Sequence, residues 1–193
     1  MTFHSAEIRW WSEREDDLKS WFHALNPQGD GRRESSRTDY YFKLSSSFTG
    51  IKIREGNLEV KGRLRFENNS FGKVEHYRKE SHDTELRVQD FLPGELIAVK
   101  KTRWLKVFDA SAIMWILDSD PPKKNCTVEF AKVEIEQRKF YTICFEASDP
   151  ESKNPHKVLT EALTDRKVPA LNFEKKLSAG YSEFLNKLNE GKF

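Results

Sequence analysis

The segment Ile51-Lys52-Ile53-Arg54-Glu55-Gly56-Asn57-Leu58-Glu59-Val60-Lys61-Gly62-Arg63-Leu64-Arg65 alternates apolar and charged residues almost without interruption. Successive side chains of a strand point to opposite faces. Ile51 and Ile53 therefore share one face, and Lys52 and Arg54 the other. A turn at Glu55-Gly56-Asn57 reverses the chain. Beyond it, Leu58, Val60 and Leu64 continue the apolar face, while Glu59, Lys61, Arg63 and Arg65 continue the charged one. The segment predicts a β-hairpin with one apolar face and one row of ordered charge. A row of Lys and Arg suits a phosphate-rich ligand, and it equally suits a sheet with one face in water.

Similar strand signals flank the hairpin. They fall at Ala6–Trp11, Asp39–Leu44, Lys73–Lys79, Leu96–Phe108, Cys126–Ile135 and Phe140–Ala147. The last two form a second hairpin through Glu136-Gln137-Arg138-Lys139. Ala112–Leu117 reads as strand or helix, and the two prolines of Asp118–Asn125 predict a turn. Helical spacing appears at Leu18, Trp21, Phe22 and Leu25, with Ser12 as a cap, acids over Glu13–Asp17 and a stop at Asn26-Pro27. Val158, Leu159, Ala162 and Leu163 predict a short helix ended before Pro169. A last helix from Phe173 to Leu188 places Leu177, Tyr181, Phe184, Leu185 and Leu188 on one side. Gln28–Thr38 reads as an exposed loop carrying Arg32, Arg33 and Arg37. Many antiparallel strands with few helices predict an α+β fold, a closed sheet or β-barrel with flanking helices, in one domain over residues 1–193.

A third of the residues are charged, yet the formal net charge is only +2. That balance argues against coating by bulk nucleic acid. Over Ile51–Lys106 the excess is local and modest, thirteen Lys and Arg against nine Asp and Glu. No apolar run approaches the ~18 residues that span a bilayer, and MTFHSAEIRWW lacks the form of a signal peptide. A cytoplasmic protein with Cys126 and Cys144 reduced and buried is expected. Neither GxxxxGK[ST] nor GxGxxG occurs. His4, His23, His76, His82 and His156 show no zinc spacing with the cysteines and read as surface or satisfied core residues. No nucleophile elbow is present.

What remains is charge in strands. Lys101 and Arg103 share a face with Val99; Lys73 lies with Glu75; Glu7 lies with Arg9; Glu146 closes its strand. If these faces turn inward, a tube gathers cations beside carboxylates, and such a tube would bind a polyphosphate and a divalent metal. Glu129, Glu134 and Glu136 are further carboxylates that register could bring inward. Trp10-Trp11 would stack on a ligand ring or pack in the core, and Arg32 and Arg33 would close over a ligand or stay solvated.

The order of these strands resembles the CYTH superfamily, the triphosphate tunnel metalloenzymes, which include thiamine triphosphatases, inorganic triphosphatases and class IV adenylyl cyclases. Ala6-Glu7-Ile8-Arg9-Trp10-Trp11 lies where that family has an ExExK strand. Ile51–Arg54 with Leu58–Lys61 is similar to its basic hairpin, and Lys73–Tyr77 to its RxExE strand. Lys101-Thr102-Arg103 is similar to its KxR strand, Cys144-Phe145-Glu146 to its closing ExE, and Gly180–Leu185 to its last helix. The resemblance implies a β-tunnel holding a triphosphate-containing anion or nucleotide. Lys52, Arg54, Lys61, Lys101 and Arg103 would clamp phosphate, with Arg63 and Lys73 as lesser contacts and Arg9 adding charge. Glu7, Glu75 and Glu146 would hold one Mg2+ or Mn2+, with Glu7 and Glu146 catalytic. The chain departs from the family at Arg9, Trp11, Tyr77 and Cys144, where acids or a lysine belong. The leading expectation is a divergent metal-dependent phosphohydrolase. The alternatives are a non-catalytic phosphate- or nucleotide-binding module on the same fold, favoured by the lost acids, and a charged sheet for protein or RNA contact. Oligomeric state is left open.

Overall fold

The computed structural model describes residues 2–25, 31–34, 36–116, 123–150, 154–165 and 177–192. In chain order its elements are β1 (Thr2–Ser12), α1 (Glu15–Ala24), β2 (Arg32–Arg33), β3 (Arg37–Phe42), β4 (Thr49–Arg54), β5 (Asn57–Asn69), β6 (Gly72–Asp83), β7 (Leu96–Asp109), β8 (Met114–Ile116), β9 (Asn125–Ile135), β10 (Arg138–Ser148), α2 (Pro155–Thr164), β11 (Leu177–Ser178) and α3 (Tyr181–Asn189). Eight strands run in the order β10-β9-β7-β3-β4-β5-β6-β1, and β1 pairs back onto β10. The result is a closed antiparallel barrel with three flanking helices. Closure removes the free sheet edges that would otherwise invite pairing with another chain.

The opening hairpin forms as its alternation predicts. Arg54 pairs with Asn57, so the turn is the two residues Glu55 and Gly56. Both have positive φ, 50° and 83°, which matches the strand twist and explains the glycine. Glu136 and Gln137 make the equivalent turn between β9 and β10, with φ of 48° and 69°. Arg138 and Lys139 are already strand.

Alternation fails at one place. Arg63 pairs with Tyr77 but Arg65 pairs with His76, so Leu64 is an extra residue and the strand bulges there. Past a bulge every side chain changes face. Lys61 and Arg63 point into the barrel, whereas Arg65 is 63% exposed and leaves the row in which period two placed it.

Two further expectations are corrected and one open alternative is resolved. The loop over Gln28–Thr38 is partly strand: Arg32 and Arg33 pair with Leu105 and Trp104, and Arg37 opens β3. β7 outruns the β3 pairing, which ends at Lys101, and β2 supplies partners for the backbone groups beyond it. Ala112–Leu117 resolves as strand at Met114–Ile116, paired to the end of β7. The last helix starts at Tyr181, not Phe173, because Leu177 and Ser178 pair instead with Trp11 and Trp10. The expected boundaries at Asn26-Pro27, Asp118–Pro122, Pro169 and Phe173 lie outside the described residues.

The even- and odd-numbered residues of β1 separate two cores. Ala6, Ile8 and Trp10 face outward, where Phe22 and Leu18 of α1 and Leu159 and Ala162 of α2 cover them. Trp11 faces inward and joins Tyr41, Val99, Val133 and Phe140 around Phe184 and Leu185 of α3. Trp11 stacks flat on Phe184 at 3.6 Å and donates from Nε1 to the Ala179 carbonyl at 2.7 Å. α3 thereby fills one end of the barrel with apolar side chains. The paired tryptophans are core residues on opposite faces, and neither Cys126 nor Cys144, both free and buried, forms a disulfide.

Gly180 caps α3 where the helix comes closest to the wall. A Cβ there would collide with the Tyr77 hydroxyl and approach Glu75 Oε2 to 2.9 Å. Gly180→Ala should cost about 1–3 kcal/mol, measured by urea unfolding. In a Tyr77→Phe background the colliding oxygen is gone, so the cost should shrink. Strict additivity of the two changes would refute the contact.

Candidate functional site

Closure decides which side chains meet. Register places Arg9, Arg37, Asp39, Tyr41, Lys52, Arg54, Glu59, Lys61, Tyr77, Lys79, Lys101, Arg103 and Glu129 on the inward face of seven strands. A cavity of about 330 Å³ opens among them. Arg9, Lys52, Arg54, Lys61, Lys101 and Arg103 all line it, together with Arg37, Lys79, Tyr41, Tyr77 and Tyr181. α3 and the apolar core around Trp11 fill the barrel on one side of it.

Like charges this close need counter-charges. The principal one is Asp39, which has no exposed surface. Its Oδ2 accepts from Lys101 Nζ at 2.9 Å and Lys52 Nζ at 3.1 Å, and its Oδ1 from Arg54 Nε at 3.3 Å. Arg37 Nε stands 3.3 Å from the same Oδ1. Burial alone would raise the Asp39 carboxyl, but Lys101, Lys52 and Arg54 outweigh it and hold the group far below the carboxylate range. Glu129 is the second counter-charge, bridging Arg9 and Arg103 at 3.0 Å each. Against its burial, Arg9 and Arg103 bring its carboxyl down to about 2. Of the three carboxylates that register might have turned inward, Glu129 is the one; Glu134 faces out and Glu136 sits in the turn. Glu59 pairs with Lys52 and Arg54 at 3.0 Å each.

The three expected metal carboxylates are aligned. Glu146, Glu7 and Glu75 lie directly opposite one another across β10, β1 and β6. Each is already engaged by a cation: Glu7 by Lys61 at 2.5 Å, Glu75 by Arg63 and by Lys73 at 3.4 Å, and Glu146 by Lys79. Burial would raise the Glu7 carboxyl, yet Lys61, Lys79 and Arg9 together keep it lowered. One residue pair further along, the acids expected of an ExExK and an ExE strand are Arg9 and Cys144. Burial pushes the Cys144 thiol up to about 12, so it stays neutral and offers a hard cation nothing. The donor set is thus short of oxygen ligands and already neutralised by ammonium and guanidinium groups, a poor fit for a resident magnesium ion.

Arg63 and Lys73 stand apart from the cavity. Both are held by Glu75 and by Glu183 of α3, the latter 3.1 Å from Arg63 Nη1. Lys79 lines the cavity, although sequence reading gave it no role. Burial, and next the charge of Lys61, brings its ammonium down to about 7 against the pull of Glu7. Its parity with Lys73, Glu75 and Tyr77 was a usable signal. Arg37-x-Asp39-x-Tyr41 is another, straddling the expected boundary between loop and strand at Thr38. Tyr181 carried no such signal: its ring lies 3.7 Å from Lys101 Nζ and 4.6 Å from the Arg9 guanidinium, a contact only the docking of α3 creates. Arg32 and Arg33 are exposed, Arg33 lying over Trp104 at 5.7 Å.

No protein-family model matches the chain, and no curated protein matches it. Among solved structures, the PH1012 protein from Pyrococcus horikoshii OT3 is similar over 95% of this chain and 98% of that one, with 16% identity and a TM-score of 0.46. No helix among the described residues is long and apolar enough to cross a membrane.

Removing Asp39 should strip Lys101 of its carboxylate partner and leave four cations facing one another with Glu59 compensating only Lys52 and Arg54. Asp39→Ala is expected to lose about 3–5 kcal/mol of stability, read by denaturant unfolding. The carboxyl is depressed on folding, so its contribution is complete above the unfolded value of 3.8 and fades as pH falls below it. The variant should therefore show a flatter stability profile than the parent in acid. An equally steep profile would count against this assignment.

Proposed function

We propose that the chain is a receptor for a polyphosphate anion, the inorganic triphosphate or the triphosphate end of a nucleotide, held inside the barrel without a resident metal. The observation that carries this reading is the convergence of Arg9, Lys52, Arg54, Lys61, Lys101 and Arg103 on one cavity whose would-be metal carboxylates are engaged by cations. Internal carboxylates do not exhaust these groups. A lysine ammonium carries three donors and a guanidinium five, so Lys101, Lys52 and Arg54 can hold Asp39 and still donate into the cavity. The carboxylates prepay the positioning of the cations, and a preorganised set of donors loses little entropy when the anion arrives. A site of about 330 Å³ falls at the small end of ligand pockets, ~300–1,000 Å³. On this reading the chain is a divergent relative of the CYTH superfamily that keeps the anion-binding half of the site.

A second reading is the metal-dependent phosphohydrolase. It is favoured by the in-register row Glu146–Glu7–Glu75, which would accept a magnesium ion delivered with the substrate, provided that ion displaced Lys61 and Lys79.

Calorimetric titration with inorganic triphosphate, with and without EDTA, separates the readings. The receptor predicts binding that is unaffected by chelator, and no phosphate release when magnesium or manganese is added. Lys101→Met or Arg54→Met should weaken binding about tenfold to hundredfold, the worth of one hydrogen bond to a charged group. Metal-dependent turnover would replace this reading with the hydrolase, and absence of any heat would leave the charged surface alone.

The lowered Lys79 ammonium adds a pH signature. It is charged below about 7, so affinity should rise as pH falls through 7, with proton uptake on binding. Lys79→Met should remove that part of the dependence, leaving the ligand's own titration. Buffers of different ionisation enthalpy measure the proton count; an unchanged uptake in the variant would exclude Lys79 as its source.

A further inference from the structure

Outside the barrel, a second cluster of polar side chains is assembled by the bulge in β5. Val74 and His76 lie on the outward face of β6, and Val74 is part of the core under α2. Without the extra residue at Leu64, Glu67 would share the inward parity of Lys61 and Arg63. With it, Arg65 sits opposite His76 and Glu67 opposite Val74, both facing outward. His76 Nε2 and Glu67 Oε1 are 2.8 Å apart.

The third member comes from α2. Asn154 caps this helix by accepting from the Lys157 N–H, Pro155 occupies its first turn, and Val158, Leu159, Ala162 and Leu163 bury its inner side. His156 is thereby carried on a fixed first turn directly over the hairpin. Its Nδ1 lies 3.2 Å from the same Glu67 oxygen, but this buried atom has no hydrogen-bond partner among the described residues. The two imidazole rings stack at 5.5 Å. One donor atom from each of the three residues lies within 4.8 Å of the others.

We propose that Glu67, His76 and His156 form a binding site for a first-row transition cation, zinc being the reference case, which staples α2 to the β5–β6 hairpin. Two imidazole nitrogens and a carboxylate oxygen are donors that suit zinc and its neighbours and do not suit magnesium. Zinc bonds of about 2.0–2.1 Å to these atoms imply ligand-to-ligand separations of roughly 3.3 Å in a tetrahedron. The distances of 2.8 and 3.2 Å approach this, and Glu67, partly exposed, has room to open. His156 Nδ1 would gain a partner it lacks among the described residues. The fourth position would face solvent, available to water or to a residue of a binding partner. The site is independent of the cavity: its ligands face the opposite side of the barrel wall, and no tunnel carboxylate takes part.

The test uses tag-free protein, since an added histidine tag would bind the probe. Zinc alone is titrated by calorimetry, and cobalt alone by its visible absorption, each with excess magnesium present. One equivalent should bind, insensitive to magnesium, and should raise the thermal midpoint. His156→Ala, on the helix surface, and Glu67→Gln should each weaken zinc binding tenfold or more and abolish the thermal shift, with an unchanged circular dichroism spectrum. His4→Ala and His82→Ala should bind as the parent does. The proposal is overturned if no zinc binds at micromolar concentration. It is equally overturned if His156→Ala binds with parental affinity, or if loss of His4 or His82 is what abolishes the signal.

Discussion

Closing eight strands on themselves brings every second residue toward one narrow, largely buried interior. Charges there act on one another far more strongly than at the surface, so a barrel lined with Lys and Arg can fold only if carboxylates are distributed among them. Asp39 meets this requirement for Arg37, Lys52, Arg54 and Lys101, Glu129 for Arg9 and Arg103, and Glu7, Glu75 and Glu146 for the cations of β5 and β6. On the proposed function, the same pairs that permit folding fix the cations in place for a ligand. Stability and binding would then rest on one network, and the most consequential residue in it is an acid.

The helices divide the remaining work by face. α1 and α2 cover the outward apolar side of β1, β9 and β10. α3 enters the barrel and closes one side of it through Trp11 and Phe184, while its Glu183 draws Arg63 and Lys73 away from the cavity. That single helix turns a tube into a cup and decides which of the basic residues line the cavity.

Much of this was legible in the chain. Period-two alternation located the strands of both hairpins and the parity of Lys52, Arg54, Lys61, Lys101 and Arg103, because alternation is a local property that each strand carries in its own sequence. The outward or inward sense of that parity was not legible: a charged face looks the same whether it meets water or a tunnel. Asp39 shares a face with Arg37 in its own strand, but nothing in the chain shows that Lys52, Arg54 and Lys101 from β4 and β7 join them. The bulge at Leu64 breaks the pattern just after Gly62, a strand glycine that hints at an irregularity without fixing its place, and the two histidines that meet at Glu67 are far apart in sequence.

The sequence by itself determined where strands run, which residues share a face, and that Arg9, Tyr77 and Cys144 depart from the pattern of acids in the family it resembles. Tertiary structure alone decided that these faces converge, which carboxylates neutralise which cations, and that α3 fills one end. The reason is physical. Strand geometry follows from neighbours one and two positions away, whereas charge pairing depends on distances of about 3 Å between residues separated by 12 to 120 positions, and strand pairing with barrel closure sets those distances.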